Sequence, residues 1–133
     1  MQLYDKLAGV YDTAYDEAVF KAENKIVLRE LRQLIQPSDR VLDIGCGTGW
    51  LLDNLYILSK HYDGVDVSLE MVKKARQKHP NYLFVEGDIH DIFIPHDRYD
   101  VIVCLWGGFS YFDAPIMSVV HRIKAALRPG GRF

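Results

Sequence analysis

Residues 41–49, Val-Leu-Asp-Ile-Gly-Cys-Gly-Thr-Gly, decide the fold of this chain. The apolar side chains of Val41, Leu42 and Ile44 predict a short, buried parallel strand. Glycines at alternate positions end that strand, and the apolar segment 50–58 predicts a helix directly after it. A strand, a glycine turn and a helix in this order bring backbone N–H groups and a helix N-terminus against a ligand. The stretch therefore predicts a binding site.

The spacing of the glycines indicates which class of ligand the loop could bind. A dinucleotide-binding loop needs glycine at position 50, where this chain has Trp50, and a phosphate-binding P-loop needs a Gly-Lys-Ser/Thr that is absent. What remains is Asp-x-Gly-x-Gly-x-Gly, with Asp43 two residues before the first glycine. A carboxylate at this position repels a pyrophosphate and favours a cationic ligand.

This motif resembles motif I of the class I S-adenosylmethionine-dependent methyltransferases. The resemblance covers nearly the whole chain, including Tyr-Asp-Val-Ile-Val at 99–103 and Arg-Pro-Gly-Gly at 128–131. It implies the cofactor S-adenosyl-L-methionine and in-line transfer of its methyl group to a small-molecule acceptor, largely by proximity, orientation and exclusion of water. The alternatives are a non-catalytic module that binds S-adenosylmethionine or S-adenosylhomocysteine, or an inactive fragment. A nicotinamide dehydrogenase is disfavoured by Trp50 and Asp43.

The composition narrows the compartment and the partners. The 133 residues predict one domain, 1–133, and a net charge of -2 with a pI near 6.2 gives no electrostatic reason to expect nucleic acid. No apolar run is long enough to cross a membrane. Cys46 and Cys104 are predicted to be free thiols, which favours the cytoplasm. The five histidines have no metal-ligand spacing, so no metal is expected.

The rest of the chain alternates helices and strands. Helices are predicted at 17–35, 50–58, 69–78 and 115–127, and further strands at 62–67, 81–86 and 99–106. Residues 3–15 predict a helix in pieces or a lid, 91–98 a loop and 128–131 a turn, after which Arg132 and Phe133 begin a fifth strand. The pattern predicts an α/β fold, a Rossmann-like parallel sheet with helices on both faces.

Several of these segments carry more detailed predictions. The buried face of the helix at 17–35 is expected at Phe20, Val27, Leu31 and Leu34, and that of the helix at 115–127 at Ile116, Val119, Val120, Ile123 and Leu127. Ser68 is expected to cap the helix that follows it.

The candidate cofactor residues follow the ends of predicted strands, where ligands bind in such sheets. Asp66 is expected to accept hydrogen bonds from ribose hydroxyls; the alternative is a loop residue that caps a helix. Val67 and Met71 are expected to flank the adenine, although Met71 also suits the helix core. The resemblance implies that Asp88 binds the adenine amino group and the N–H of Ile89 the ring; the alternative is a local turn.

The methionyl part of the cofactor is expected at the glycine turn. Asp43 acts either through this turn or on the amino group of the ligand, Gly45 and Gly47 allow close approach, and Cys46 contributes its backbone. Leu105 completes the predicted cofactor site.

Aromatic side chains complete the predicted site. Tyr11 and Tyr15 either cover the cofactor or pack within a helix. Trp106 and Tyr111, with Phe109 and Phe112, either contact the acceptor or fill the core. No catalytic base is identified, and Asp100, at the other end of its strand, is expected to be structural.

The resemblance also implies strands that follow position 133. The family continues with the rest of strand five and a β-hairpin. The fourth strand is therefore expected to have an unpaired apolar edge, or only a rudimentary neighbour from Arg132 and Phe133. Either the chain is shortened or a second copy supplies the edge, and we expect self-association as a dimer through this exposed edge.

Overall fold

The computed structural model describes residues 2–10, 18–55, 61–106 and 116–133, and these form a five-stranded parallel sheet flanked by helices. The strands are β1 (Val41–Ile44), β2 (Tyr62–Asp66), β3 (Leu83–Glu86), β4 (Tyr99–Val103) and β5 (Leu127–Arg132). The helices are α1 (Gln2–Leu7), α2 (Ala18–Leu34), α3 (Trp50–Asn54), α4 (Leu69–Lys78) and α5 (Ile116–Ala126). The predicted α/β, Rossmann-like fold is confirmed.

Strand β1 lies in the middle of the sheet, whose order is β3-β2-β1-β4-β5. Val41 is opposite Tyr62 on β2 and opposite Val101 on β4. All four residues of β1 are buried, as expected for a parallel strand covered on both faces. The strand order reverses between β1 and β4, and in open α/β sheets the ligand-binding crevice lies beyond the carboxyl ends of the strands at this point.

The sheet separates two layers of core. One layer joins α2 to residues on the first face of the sheet, among them Leu28, Leu31, Ile35, Val41, Tyr62 and Phe84. The other joins α5 to the opposite face and includes Leu42, Ile44, Ile102, Val119 and Ile123. The alternation of Val41 and Leu42 between these layers follows from the two-residue period of a strand.

Two predicted helix faces need correction. In α2 the buried residues are Leu28, Leu31 and Ile35 just beyond its end, whereas Phe20 and Leu34 are exposed. In α5 the buried residues are Val119, Ile123 and Ala126, whereas Ile116 and Val120 are exposed, and Leu127 belongs to β5. Both helices carry more apolar residues than one face holds, so the pattern alone left the rotation of each helix about its axis ambiguous.

Three predicted elements are shorter in the structure. Helix α3 ends at Asn54, and residues 56–58 lie outside the described part of the chain. Strand β3 begins at Leu83 rather than at 81. Strand β4 ends at Val103 rather than at 106, because Trp106 has a left-handed backbone conformation with φ 56° that no strand accommodates.

The Arg-Pro-Gly-Gly turn lies inside β5 instead of before it. Leu127 is opposite Tyr99 and Arg132 is opposite Val101, so residues 128–131 bulge out of the ladder. Gly130, with φ 81°, provides the left-handed residue of the bulge. Strand β4 therefore has β5 as a neighbour. This agrees with the second expectation for its edge, a short strand at the end of the chain.

The predicted structural role of Asp100 is confirmed. Its Oδ2 accepts from the N–H of Arg40 at 2.8 Å, and its Oδ1 lies 3.2 Å from Nη1 of Arg128. The Arg40 N–H and the nearby Arg128 guanidinium hold the pKa of Asp100 below its ordinary value. This carboxylate thus ties β1, β4 and β5 together at the amino ends of the strands.

The described helices include none with both the length and the apolar character that a bilayer crossing requires.

Candidate functional site

The glycine loop, residues 45–49, connects β1 to α3 and forms hydrogen bonds with the end of β2. The N–H groups of Gly45 and Cys46 donate to the carbonyl of Val65 at 2.8 and 3.1 Å. The N–H of Gly47 donates to Oδ2 of Asp66 at 2.8 Å, and that of Gly49 to the carbonyl of Cys46 at 3.0 Å. The expectation that bare N–H groups of this loop face a ligand is therefore wrong for these four residues.

Gly45 provides the open space in the loop instead. Its φ is +76°, and a methyl group added to its Cα would meet no atom within 4 Å. A side chain there would be strained and would enter the space in front of the loop. The loop thus offers a smooth, side-chain-free surface, which fits the methionyl part of S-adenosylmethionine.

Asp66, at the end of β2, links the glycine loop to the start of α4. Besides the bond from Gly47, its Oδ1 accepts from the N–H of Ser68 at 2.9 Å. Burial raises the pKa of Asp66, and the backbone N–H bonds oppose that rise. The N–H of Val67 also acts on this carboxylate. A carboxylate has about four acceptor positions, so at least one remains available for a hydroxyl donor such as that of a ribose.

Asp66 is not the N-cap of α4, so the alternative role predicted for it is not observed. Ser68 is the N-cap of α4, and its Oγ accepts from the N–H of Met71 at 3.3 Å, as predicted. The same hydroxyl donates to Oδ1 of Asp5 on α1 at 2.5 Å. Helix α1 is therefore fixed beside Asp66, and the charge of Asp5 contributes to the raised pKa of Asp66.

Asp43 is a buried carboxyl group within β1, 3 % exposed. Its Oδ2 accepts from the hydroxyl of Tyr62 at 2.8 Å. Burial raises the pKa of Asp43 from 3.8 to about 7, the Tyr62 hydrogen bond opposes this, and the charge of Asp66 adds to it. A nearby cation would stabilise the charged form of this buried carboxyl group, and a sulfonium or ammonium group is such a cation.

Tyr62 is a site residue that the sequence analysis missed. It begins β2 opposite Val41, and it reaches Asp43 along the sheet beside Gly64, which is opposite Asp43 and has no side chain. Burial, followed by the nearby charge of Asp43, raises the pKa of Tyr62 well above its ordinary value, so this phenol stays a donor. Only the register of β1 and β2 reveals the pair.

The thiol of Cys46 faces the core. It is buried, and a methyl group at Gly64 would lie 2.9 Å from its Sγ. Burial raises the pKa of Cys46 well above its ordinary value, so the thiol stays protonated. Burial likewise raises the pKa of Cys104 to about 11, and both cysteines are free.

Asp88 closes a tight turn after β3. Its Oδ1 accepts from the N–H of His90 at 2.8 Å, and its carbonyl accepts from the N–H groups of Asp91 and Ile92. Asp88 therefore stabilises a local turn, which is the alternative role predicted for it. These bonds use Oδ1 and the carbonyl oxygen of Asp88 and do not involve Oδ2. Ile89 is buried in the second core layer, so only its backbone is available to a ligand.

The two predicted adenine-flanking residues differ in exposure. Val67 is 36 % exposed beside Asp66, whereas Met71 is 1 % exposed. Met71 therefore belongs to the core under this edge, which is the second of its two predicted roles.

An aromatic pair borders the site on the β4 side. Trp50, the first residue of α3, and Trp106 make a T-shaped contact with ring centroids 5.4 Å apart. Leu105 and Trp106 are both half-buried, and Leu105 packs on the first core layer. The sequence analysis used Trp50 against a dinucleotide-binding loop and as a helix start, and did not predict it as part of the site. Tyr11, Tyr15, Phe109, Tyr111 and Phe112 lie outside the described residues.

The comparison with known proteins agrees with this geometry. Residues 41–131 match the family model of a methyltransferase domain. The chain belongs to the class I S-adenosylmethionine-dependent methyltransferases. The family predicted from the glycine motif is thereby confirmed, as is S-adenosylmethionine as its cofactor.

Three relatives illustrate the similarity. The malonyl-[acyl-carrier protein] O-methyltransferase of Halalkalibacterium halodurans is 33 % identical over 96 % of this chain and 50 % of its own length. The demethylmenaquinone methyltransferase of Symbiobacterium thermophilum is 28 % identical over 99 % of this chain and 56 % of its own length. The DhpI-SAM-HEP complex superposes with a TM-score of 0.79 at 25 % identity, over 98 % of this chain and 60 % of the solved one.

The chain spans about half the length of the first two curated relatives that it matches, 49 % and 50 %.

Proposed function

We propose that this chain binds S-adenosylmethionine at the carboxyl edge of its sheet and transfers the methyl group to a small-molecule acceptor. The observation that carries the proposal is the 2.8 Å hydrogen bond from Gly47 to Asp66. It joins the glycine loop of the motif to the acidic residue of the next strand. Membership of the family supports the proposal, because both features belong to its motif.

In this proposal the adenosine part lies across the ends of β2 and β3. Asp66 accepts hydrogen bonds from the ribose hydroxyls, and the exposed Val67 flanks the adenine, with Met71 buried beneath it. Asp88 accepts from the adenine amino group through its free oxygen, and the N–H of Ile89 meets the ring.

The methionyl part lies in front of Gly45 and Gly47, with the backbone of Cys46 and the side chain of Leu105 beside it. The bound cofactor supplies a methyl group that its sulfonium already activates. The buried Asp43 favours the positive charge of the ligand, because burial leaves this carboxyl group poorly stabilised without a cation. We assign no residue as a catalytic base; positioning and exclusion of water supply the rate.

The acceptor is proposed to lie on the β4 side of the loop. Trp106 and Tyr111 contact it there, and Tyr11 and Tyr15 cover the cofactor. The name of one relative, the demethylmenaquinone methyltransferase, supports a small-molecule acceptor.

The binding part of the proposal is tested by calorimetry with S-adenosylhomocysteine. Asp66→Ala should weaken binding about tenfold or more, because it removes charged hydrogen bonds to the ribose. The matched control is Asp97→Asn, which alters an exposed aspartate in the turn before β4 whose left-handed φ of 49° an asparagine tolerates. Unchanged affinity in a folded Asp66→Ala protein would contradict the assignment.

The transfer part is tested with methyl-labelled S-adenosylmethionine and a panel of quinols, amines and carboxylic acids. Appearance of label in one acceptor, lost in Asp66→Ala, supports the methyltransferase. Binding of the cofactor with no transfer to any acceptor favours the module that only binds it.

We also propose that residues 1–133 act as one cofactor-binding domain that self-associates as a dimer in the cytoplasm. The position of β5 at the edge of the sheet supports self-association, since no described strand lies on its outer side and Phe133 is 60 % exposed. The free thiols support a reducing compartment. Sedimentation velocity tests the dimer, and a single monomeric species at micromolar concentration would contradict it.

A further inference from the structure

His79 lies against the last glycine of the loop. It follows α4, and its ring approaches Gly49 so closely that a methyl group there would be 2.7 Å from Cδ2 and 3.1 Å from Nε2. Gly49 has φ +89° and precedes α3. The absence of a side chain at position 49 therefore has a packing cause besides backbone conformation, because the imidazole occupies that space.

The imidazole also lies against α3. Its Nε2, which is screened from solvent, lies 2.9 Å from Oδ1 of Asp53 without the angle of a hydrogen bond, and Nζ of Lys78 lies 2.5 Å from the other oxygen. The N–H of Asp53 in turn donates to the carbonyl of Gly49 at 3.2 Å. One histidine thus contacts the end of the loop directly and holds, through Asp53, the helix that follows it.

The ring itself is held by aromatic neighbours. Its centroid lies 6.4 Å from that of Tyr82 and 6.3 Å from that of Phe84. The side chain of His79 is 16 % exposed and that of Asp53 is 34 % exposed. The pair is therefore better shielded than an ordinary surface ion pair, and its position is fixed by packing.

We propose that His79 is a positioning residue for cofactor binding, holding Gly49 and the start of α3 so that the glycine loop keeps its shape. The inference rests on the proposed function. His79 touches the loop and not the cofactor, so it acts through Gly49. Asp53 and Lys78 are the charged groups that face it, and Tyr82 contributes a phenol.

The proposal predicts that affinity for the cofactor depends on the side chain at position 79. The imidazole fills the space beside Gly49 and lies against Asp53 in α3, so a small side chain leaves both less firmly held. His79→Ala should therefore weaken cofactor binding by about threefold to tenfold.

The experiment is calorimetry of S-adenosylhomocysteine with the full chain and its variants at one fixed pH. His79→Gln keeps much of the volume of the side chain and should weaken binding less than His79→Ala does, whereas Asp53→Asn, which keeps the shape and removes the charge, should weaken it measurably. The matched control is His96→Gln, at an exposed histidine in the loop between β3 and β4, which should bind as tightly as the unaltered protein.

A second test uses sterics. Gly49→Ala should weaken binding strongly in the unaltered protein and less in a His79→Ala background, because the clash of the new methyl group with the imidazole is then removed. Urea unfolding verifies that each variant is folded, and if His79→Ala is not folded, His79→Gln carries the test.

The outcomes separate the two proposals. Failure of the unaltered protein to bind S-adenosylhomocysteine overturns the proposed function and this inference with it. Full affinity in a folded His79→Ala protein, or the same loss from Gly49→Ala in both backgrounds, overturns the inference alone.

Discussion

Replacing Asp43 by asparagine should stabilise the protein at neutral pH. The carboxyl group is 3 % exposed, and its single described hydrogen bond comes from the hydroxyl of Tyr62. Asparagine has nearly the same shape, and its side-chain oxygen keeps the bond from Tyr62. It removes the negative charge, whose burial is the unfavourable part, and puts an amide NH2 in place of one oxygen, which adds a smaller cost that does not depend on pH.

The magnitude follows from the pKa of Asp43, which burial raises from 3.8 to about 7. Between these two values the folded protein keeps a proton that the unfolded chain has lost. Stability therefore falls as pH rises through this window and is constant above it, with a full cost of about 4 kcal/mol. Asp43→Asn has no such proton, so its advantage over the unaltered protein should grow from pH 4 to pH 7 and then level off.

Urea unfolding followed by far-UV circular dichroism at pH 5, 6, 7 and 8 measures this advantage. Asp97→Asn, in the exposed turn before β4, serves as the control and should follow the unaltered protein. An Asp43→Asn protein whose free energy of unfolding keeps a constant difference from the unaltered protein at all four pH values would refute the reasoning.

The same variant also tests which cation of the ligand Asp43 favours, the sulfonium or the amino group. S-adenosylmethionine carries a sulfonium charge that S-adenosylhomocysteine lacks, and both carry the amino group. If Asp43 acts on the sulfonium, Asp43→Asn weakens only the charged compound; if it acts on the amino group, both weaken equally. Either result would mean that the buried charge of Asp43 lowers the stability of the fold and strengthens binding of the ligand.

Three further outcomes are expected. Gly64→Ala should destabilise the protein by about 1–3 kcal/mol in urea unfolding, because its methyl group would lie 2.7 Å from the ring of Phe84. Ser68→Ala should cost about 1 kcal/mol in the same assay, since it removes the side-chain cap of α4. The fluorescence of Trp50 and Trp106, the two tryptophans of the chain, should change when S-adenosylhomocysteine binds, because the pair borders the site.

Each of these has a matched control. Gly9→Ala adds a methyl group where no atom lies within 4 Å and should be neutral by comparison with Gly64→Ala. Ser68→Thr keeps a capping hydroxyl and should retain most of the stability. Trp106→Phe should lose most of the fluorescence response, and a full response in that variant would contradict the place assigned to the pair.

The parts of the fold that depend on local chemistry could be predicted from the sequence. Strand β1 follows from its apolar run, and α4 follows from the capping Ser68 at one end and Pro80 beyond the other. The convergence of the glycine loop and Asp66 also follows, because parallel strands end at one edge of the sheet.

The parts that depend on register and packing could not be predicted. The bond between Tyr62 and Asp43 exists because β1 and β2 pair with Val41 opposite Tyr62, which no local pattern states. The left-handed backbone of Trp106 and the bulge inside β5 are likewise set by neighbours in space. The position of the glycine loop could be predicted, but the partners of its N–H groups could not, because three of the four described bonds reach β2.

The central position of β1 has a consequence for how the chain unfolds. β1 takes one neighbour, β2, from the residues that directly follow it and the other, β4, from much later in the chain. The backbone groups on the two sides of β1 are therefore paired only when both β2 and β4 are in place. The sheet should therefore come apart in one cooperative transition, and the amide protons of β1 should exchange with solvent only when the whole domain opens.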